Sequence, residues 1–145
     1  MFNYSYMRLA IGKAQEDCLE VPVGAVIVYN DKVISCQNNS NVKNCDPTAH
    51  AEILSIRHAC IVLSTHILNQ CDMYVTLEPC AMCAQAISFA RIRRLYFGAY
   101  NKKYGGVENG ARVFHFCHSI PEVYGGILEE ENIRLMTNFF RRLRE

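Results

Sequence analysis

Two short segments about 30 residues apart carry side chains that can bind one metal ion together. The first holds His50 and Glu52, and the second holds Cys80 and Cys83. One imidazole and two thiolates fill three corners of a tetrahedral zinc site and leave the fourth open for water, as in catalytic sites. Glu52 is then a carboxylate that is not needed as a ligand, which suits a proton carrier. Any fold of this chain must therefore bring the two segments together.

Each ligand segment is predicted to begin a helix. In the first segment, Asp46 can cap a helix and Pro47 suits its first turn. In the second, Pro79 follows the apolar run at 73–77, which is typical of a buried strand. The positive end of a helix favours thiolate over thiol, and two cysteines three residues apart lie on one face. The sequence therefore predicts that two helix N-termini carry the ligands.

A closed structural zinc site is the alternative to a catalytic one. A Cys-x-x-Cys motif alone serves redox sites and structural zinc equally well. A closed site needs a fourth ligand, and Cys45 is the candidate nearest in sequence. Such a site gives no reason for the positions of Glu52 and Pro79. The two motifs H-x-E and P-C-x-x-C, in this order, match the known pattern of zinc deaminases. We therefore favour a catalytic centre, with Cys45 in a loop.

Length and composition limit the class of protein. The chain has 145 residues, of which 50% are hydrophobic, so we expect one packed domain over 1–145. A net charge of +1 neither favours nor excludes a nucleic-acid partner. Eight cysteines are scattered through apolar runs and no signal segment is evident, which is typical of a reduced, cytoplasmic protein. No apolar run is long enough for a membrane span.

Hydrophobic periodicity predicts strands that alternate with helices. Helices are expected near 4–18, 47–63, 79–90 and 127–144, with one short helix near 110–116. Strands are expected near 25–29, 32–36, 73–77, 94–98 and 122–124. The pair Asn30-Asp31 suits a two-residue hairpin turn between the first two strands. This order predicts an α/β fold, a three-layer α/β/α sandwich around a mixed five-stranded sheet.

Several stretches together resemble the bacterial tRNA-specific adenosine deaminases, of the cytidine deaminase-like superfamily. They are 20–26, 46–53, 75–83, 97–99, the pair Arg91-Ile92, and a tail with 126–128 and Phe139-Phe140. The resemblance covers nearly the whole chain and implies the cytidine deaminase-like fold. It also implies a homodimer with one Zn²⁺ per subunit that acts on a tRNA anticodon stem-loop. The reaction implied is hydrolysis of the wobble adenosine, in which adenosine and water give inosine and ammonia.

The same resemblance assigns roles to individual residues. His50, Cys80 and Cys83 would bind zinc, and Glu52 would transfer protons. The substrate-binding residues would be Asn39, Asn101 and Phe140.

Each substrate-binding residue has a competing interpretation. Asn39 lies among several asparagines that suit turns. Phe140 and its neighbour Phe139 fit the apolar stripe of the last helix. Asn101 stands where the family usually has an aspartate close to the bound RNA. The change from aspartate to asparagine would therefore affect the choice of substrate more than the chemistry.

Two further functions fit the zinc motifs. One is a deaminase of a free nucleobase or nucleotide, such as cytosine or guanine, on the same zinc site. The other is a zinc-stabilised RNA-binding module without catalysis, in which Glu52 would be incidental. The basic segment 91–94 and the tail helix favour a polynucleotide substrate.

Overall fold

Five strands form one sheet in the computed structural model, which describes residues 2–145. They are β1 (Gly24–Tyr29), β2 (Lys32–Asn38), β3 (Cys71–Leu77), β4 (Arg94–Ala99) and β5 (Glu122–Tyr124). Their order across the sheet is β2-β1-β3-β4-β5. β1 runs antiparallel to β2 and β3, whereas β3, β4 and β5 are parallel to one another. The predicted mixed five-stranded sheet is confirmed.

Four helices cover the two faces of this sheet. They are α1 (Tyr4–Ala14), α2 (Ala51–Leu63), α3 (Ala81–Ala90) and α4 (Glu129–Leu143), and a 3-10 turn spans Val113–Phe116. α2 and α3 pack against one face, and α1 packs against the other. α4 contacts β4, and Asn132 of this helix lies against Gly98 on the α1 side. The predicted three-layer α/β/α sandwich is therefore confirmed.

The three central strands, β1, β3 and β4, are apolar because both of their faces are buried. In β1, Ala25 and Ile27 pack against α2 and α3, whereas Val26 and Val28 face α1. This alternation is the two-residue period of an extended chain.

A row of aromatic rings crosses the sheet on the α1 side. Tyr74, Tyr96 and Tyr124 are direct neighbours on β3, β4 and β5. The ring centroids of Tyr74 and Tyr96 are 4.5 Å apart, and those of Tyr96 and Tyr124 are 5.1 Å apart, both stacked. Phe2 adds a ring 5.1 Å from that of Tyr96. Aromatic pairs packed in this way contribute beyond the area that they bury.

The hairpin turn forms as predicted, but several helix ends differ from the prediction. Asn30 and Asp31 have φ of 54° and 60°, which a two-residue hairpin turn requires. α1 ends at Ala14 and not at 18. α4 begins at Glu129 and not at 127, because Leu128 before it has a left-handed φ of 51°.

The two ligand helices also begin later than predicted. Asp46 does not cap α2; its carboxylate accepts hydrogen bonds from the N–H and hydroxyl of Thr48 and closes a turn. The residues at the N-caps of α2 and α3 are His50 and Cys80, which have extended backbone conformations. Within residues 2–145, no helix combines the length and the apolar character needed to cross a membrane.

Candidate active site

The first turns of α2 and α3 bring together the three predicted metal ligands. His50 and Cys80 occupy the N-cap positions, and Cys83 lies in the first turn of α3. One donor atom from each residue lies within 4.8 Å of the others. His50 Nδ1 is 3.6 Å from Cys80 Sγ and 3.4 Å from Cys83 Sγ. The sheet therefore places the starts of two helices close enough for one ion to touch both.

The electrostatics of this cluster suit a metal cation. A hydrogen bond from Cys83, assisted by one with His50, lowers the pKa of Cys80 to about 4 although burial opposes the shift. The same bond, together with burial, raises the pKa of Cys83. The contact with Cys80 also raises the pKa of His50. The lowered pKa favours the thiolate form of Cys80, and an imidazole with two sulfur ligands is a donor set that zinc prefers.

Cys45 lies outside this cluster. Its side chain is exposed in the loop before α2, and its sulfur is 3.8 Å from the carbonyl oxygen of Val42. Among the described residues, no fourth histidine, cysteine or carboxylate joins the three ligands. Three donors without Cys45 match the ligand number of an open site, whereas a closed structural site needs four.

Glu52 lies in the first turn of α2, two residues after His50, with only 4% of its surface exposed. Burial raises the pKa of Glu52 to about 7. A carboxyl group with this pKa gives and takes protons readily near neutral pH. The structure thus places a buried carboxyl group beside the three candidate ligands, at the position that the H-x-E motif indicated.

Asn39 follows β2 and is buried, with 6% of its surface exposed. Its side-chain oxygen accepts a hydrogen bond from the backbone N–H of Ala51 at 2.9 Å. It therefore satisfies one of the free N–H groups at the start of α2. With the oxygen used in this way, the NH₂ group of Asn39 is its donor for a ligand. The residue has a structural role together with any role in substrate binding.

Asn101 and Phe140 line one groove between the loop after β4 and helix α4, with a volume of about 960 Å³. Phe140 is 44% exposed, whereas its neighbour Phe139 is 6% exposed and belongs to the core. Leu77, at the end of β3, also lines the groove. The structure thus separates the two phenylalanines, and of the two only Phe140 lines this groove.

The side chain of Asn101 is partly engaged within its own loop. Its oxygen accepts a hydrogen bond from the backbone N–H of Tyr104 at 3.0 Å. The NH₂ group remains as a donor for a ligand, and the oxygen keeps one lone pair. Two lysines, Lys102 and Lys103, follow in the same loop and line the same groove.

Glu78 was not predicted from the sequence, and it lies directly before Pro79 and Cys80 with only 2% of its surface exposed. Its carboxylate accepts hydrogen bonds from the backbone N–H groups of Asn101, Val107, Glu108 and Asn109, and from the side chain of Asn109. The sequence did contain an indication of this role: Glu78 is a charged residue at the end of an apolar strand, and an ionised group that is buried there needs hydrogen-bond partners.

Known deaminases resemble this chain in sequence and in structure. The family model described as MafB19-like deaminase matches residues 2–144. A protein of Agrobacterium fabrum named tRNA-specific adenosine deaminase is 49% identical over 143 residues, which cover 96% of this chain and 94% of the relative. The chain belongs to the tRNA-specific adenosine deaminase family.

Solved structures agree with membership of this family. A tRNA:A34 deaminase, studied for A-to-I editing at the wobble position of transfer RNA, is 48% identical. It superposes with a TM-score of 0.90, covering 92% of this chain and 99% of its own. A guanine deaminase from Bacillus subtilis is 37% identical with a TM-score of 0.66, over 69% of this chain and 66% of its own. The match to the tRNA deaminase is the more complete, so a free-base deaminase is not favoured.

Proposed function

We propose that the protein catalyses the hydrolytic deamination of adenosine to inosine at the wobble position of a tRNA anticodon. The observation that carries this proposal is the open group of His50, Cys80 and Cys83 with the buried Glu52 beside it, in a member of this family. Residues 1–145 would form one deaminase domain.

His50, Cys80 and Cys83 would hold one Zn²⁺ per subunit. Bound by three protein ligands, zinc supplies Lewis-acid activation of water at neutral pH. The chain contributes the thiolate of Cys80, and the helix N-termini that carry the ligands favour negative charge at these positions.

Glu52 would transfer the protons of the reaction. Its carboxylate takes a proton from the attacking water and gives it to N1 of adenine while the oxygen adds to C6. The second proton of the water then passes by Glu52 to the amino group, the C6–N bond breaks and ammonia leaves. A pKa of about 7 suits both the basic and the acidic steps.

The target base must leave the stack before it can reach this site, which is easiest in an unpaired anticodon loop. The NH₂ group of Asn39 would donate a hydrogen bond to the inserted nucleoside. Asn101 and the exposed ring of Phe140 would contact flanking nucleotides, since bases stack readily on exposed aromatic rings. Lys102 and Lys103 supply positive charge for the phosphates.

The protein would act as a homodimer. Large apolar side chains are exposed on the layer that contains α2, α3 and the 3-10 turn: Ile61 (76%), Phe89 (73%) and Phe116 (87%). Exposed apolar groups of this size favour burial in an interface. Light scattering at micromolar concentration tests this; a fully active monomer contradicts it. The eight free cysteines support a reducing, cytoplasmic location.

A direct assay tests the activity. Zinc-loaded protein is incubated with an anticodon stem-loop that has adenosine at the wobble position, and in parallel with free adenine, cytosine and guanine. Mass spectrometry is expected to detect replacement of one amino group by oxygen in the stem-loop alone. The Glu52→Ala variant is the matched control, because it should leave every substrate unchanged. Turnover of a free base without turnover of RNA would overturn the proposal.

A further inference from the structure

The side chain of Glu78 joins two parts of the site that the sequence separates. It stands at the end of β3, where its backbone N–H donates to the carbonyl of Ala99 on β4 at 2.8 Å. Pro79 and Cys80 follow it directly. The carboxylate is thus attached to the segment that carries a metal ligand.

The same carboxylate is surrounded by donors from the loop 101–109. Oε2 accepts from three successive backbone N–H groups, those of Val107, Glu108 and Asn109, at 3.2, 2.9 and 3.0 Å. Oε1 accepts from the backbone N–H of Asn101 at 3.1 Å and from Nδ2 of Asn109 at 2.7 Å. Successive N–H groups that converge on one point form an anion-binding nest. Here the anion is a side chain of the protein itself.

Close backbone contacts hold the loop at this position. The N–H of Gly106 donates to the carbonyl of Pro79 at 2.8 Å, and Gly105 forms a bridge with Cys80. A Cβ at Gly105 would lie 2.6 Å from Glu78 Oε2, and one at Gly106 would lie 2.5 Å from the N of Ala81. The loop approaches the start of α3 this closely because both positions are glycine.

We propose that Glu78 is a positioning residue for RNA recognition. It fixes the loop 101–109, and with it Asn101, Lys102 and the groove of Phe140, relative to the end of β3 from which Cys80 projects. This inference rests on the proposed function, since the groove is taken as the RNA-binding surface. Glu78 itself touches neither the substrate nor the reacting atoms.

A neutral isostere should disturb this arrangement selectively. In Glu78→Gln one of the two oxygens becomes an NH₂ group, which faces either the three N–H groups of 107–109 or the donors of Asn101 and Asn109. Donor would meet donor, and at least two hydrogen bonds to the loop would be lost. The cost of leaving several N–H groups without a partner suggests a rise in KM for the anticodon stem-loop of about tenfold or more. The value of kcat and the zinc content should change little.

The matched control is Asp72→Asn. Asp72 is a buried carboxylate near the other end of β3, on the order of 20 Å away along the strand. It pairs with Arg93 at 3.0 Å and with Arg94 at 3.5 Å and does not contact the groove. Arg94 begins β4, whereas the groove lies at the other end of this strand, beside Ala99. Asp72→Asn should therefore lower the melting temperature and leave KM unchanged. A purely structural role for Glu78 predicts the same behaviour for both variants.

Three measurements complete the test: KM and kcat on the stem-loop, zinc by metal analysis, and hydrogen exchange of the amides of 105–109. Glu78→Gln should raise KM, and amide exchange in the loop should quicken while α2 and α3 stay protected. If this variant does not fold, Asn109→Ala removes one donor to the carboxylate and should raise KM by a smaller factor at constant kcat. An unchanged KM in the folded variant, or a fall in kcat alone, overturns the proposal.

Failure of the proposed function has a different pattern. A wild-type protein that neither binds nor converts the stem-loop contradicts the function. Hydrogen exchange then decides the role of Glu78 alone: equal exchange rates for the loop amides in wild type and Glu78→Gln overturn it.

Discussion

The side-chain oxygen of Asn39 accepts a hydrogen bond from the backbone N–H of Ala51, at 2.9 Å, and so joins the loop after β2 to the first turn of α2. Glu52, the proposed proton carrier, is the next residue in that turn. The amide of Asn39 thus has one observed contact and one proposed contact: its oxygen accepts from the first turn of α2, and its NH₂ group is proposed to bind the substrate.

Substitution of Asn39 by two different residues should separate these contacts. Asn39→Asp keeps the acceptor for Ala51 but loses the donor, so kcat/KM should fall by about tenfold or more while the melting temperature stays close to that of wild type. Asn39→Ala loses both, so it should also lose about 1 kcal/mol in the free energy of unfolding. Urea denaturation and steady-state assays give the two quantities. Equal activity in Asn39→Asp and wild type would exclude the substrate contact.

Removal of the Glu52 carboxylate should abolish turnover and leave the metal in place. General acid–base groups contribute about a hundredfold to ten-thousandfold, and kcat of Glu52→Ala should fall by at least that range because one residue serves several transfers. Metal analysis should find zinc at the wild-type level. Glu52→Gln is the isosteric control and should behave in the same way. Loss of zinc from either variant would mean that Glu52 is a ligand.

Substitution by serine should have different effects at a cysteine of the candidate metal site and at a cysteine outside it. Cys83→Ser removes a ligand from the cluster, so zinc content and activity should both be lost. Cys45→Ser changes an exposed thiol outside that cluster, so neither should change. Less than one zinc per subunit in Cys45→Ser would indicate that Cys45 is a fourth ligand in a closed structural site.

Stability at high pH should depend on Tyr74. Burial raises the pKa of Tyr74 to about 12, above the value of about 10 for an unfolded tyrosine. The folded state therefore favours the neutral phenol, and this contribution is present below pH ~10 and is lost as the pH rises towards 12. The free energy of unfolding should fall more steeply over this range in wild type than in Tyr74→Phe. Denaturant unfolding at a series of pH values measures both slopes, and parallel slopes would contradict the assignment.

The hydrogen bonding of Asn101 bears on the choice between RNA and DNA. Its oxygen already accepts from the N–H of Tyr104, so the NH₂ group, a donor, is what Asn101 would offer the substrate, whereas an ionised aspartate could offer only acceptors. An acceptor suits the ribose 2′-hydroxyl that DNA lacks. Asn101→Asp should therefore raise the ratio of kcat/KM on RNA to that on a DNA hairpin by about fivefold, the value of one hydrogen bond.

Matched RNA and DNA hairpins decide this prediction. Asn69→Asp adds the same charge at an exposed site before β3, outside the groove, and should leave the ratio unchanged. The same ratio in wild type and Asn101→Asp would show that Asn101 is a neutral replacement.

The sequence predicted which residues form the candidate metal site because their chemistry is local. Histidine and cysteine at these spacings, after a strand or a proline, are typical of metal binding, and the alternation of strands and helices placed them at helix starts. The residues that cap the helices were harder to predict. Aspartate is a common N-cap residue, but the carboxylate of Asp46 binds Thr48 and closes a turn before α2 instead.

Glu78 and Phe140 were harder to interpret because their environments come from distant parts of the chain. Most partners of Glu78 are backbone N–H groups more than 20 residues away, and every residue type except proline has such a group, so the sequence does not identify them. Periodicity assigned Phe139 and Phe140 to one apolar stripe, and only the packing of α4 shows which ring enters the core.

The row of stacked tyrosines has a spectroscopic consequence. The chain contains eight tyrosines and no tryptophan, so its near-ultraviolet absorption comes mainly from tyrosine. Tyr74, Tyr96 and Tyr124 are held in contact on three neighbouring strands, on the opposite side of the sheet from α2 and α3. Close, rigid rings couple their transitions, so near-ultraviolet circular dichroism should report on the integrity of the sheet. The stacked tyrosines thus give a spectroscopic signal of folding, and they lie on the face of the sheet opposite the helices that carry the candidate ligands.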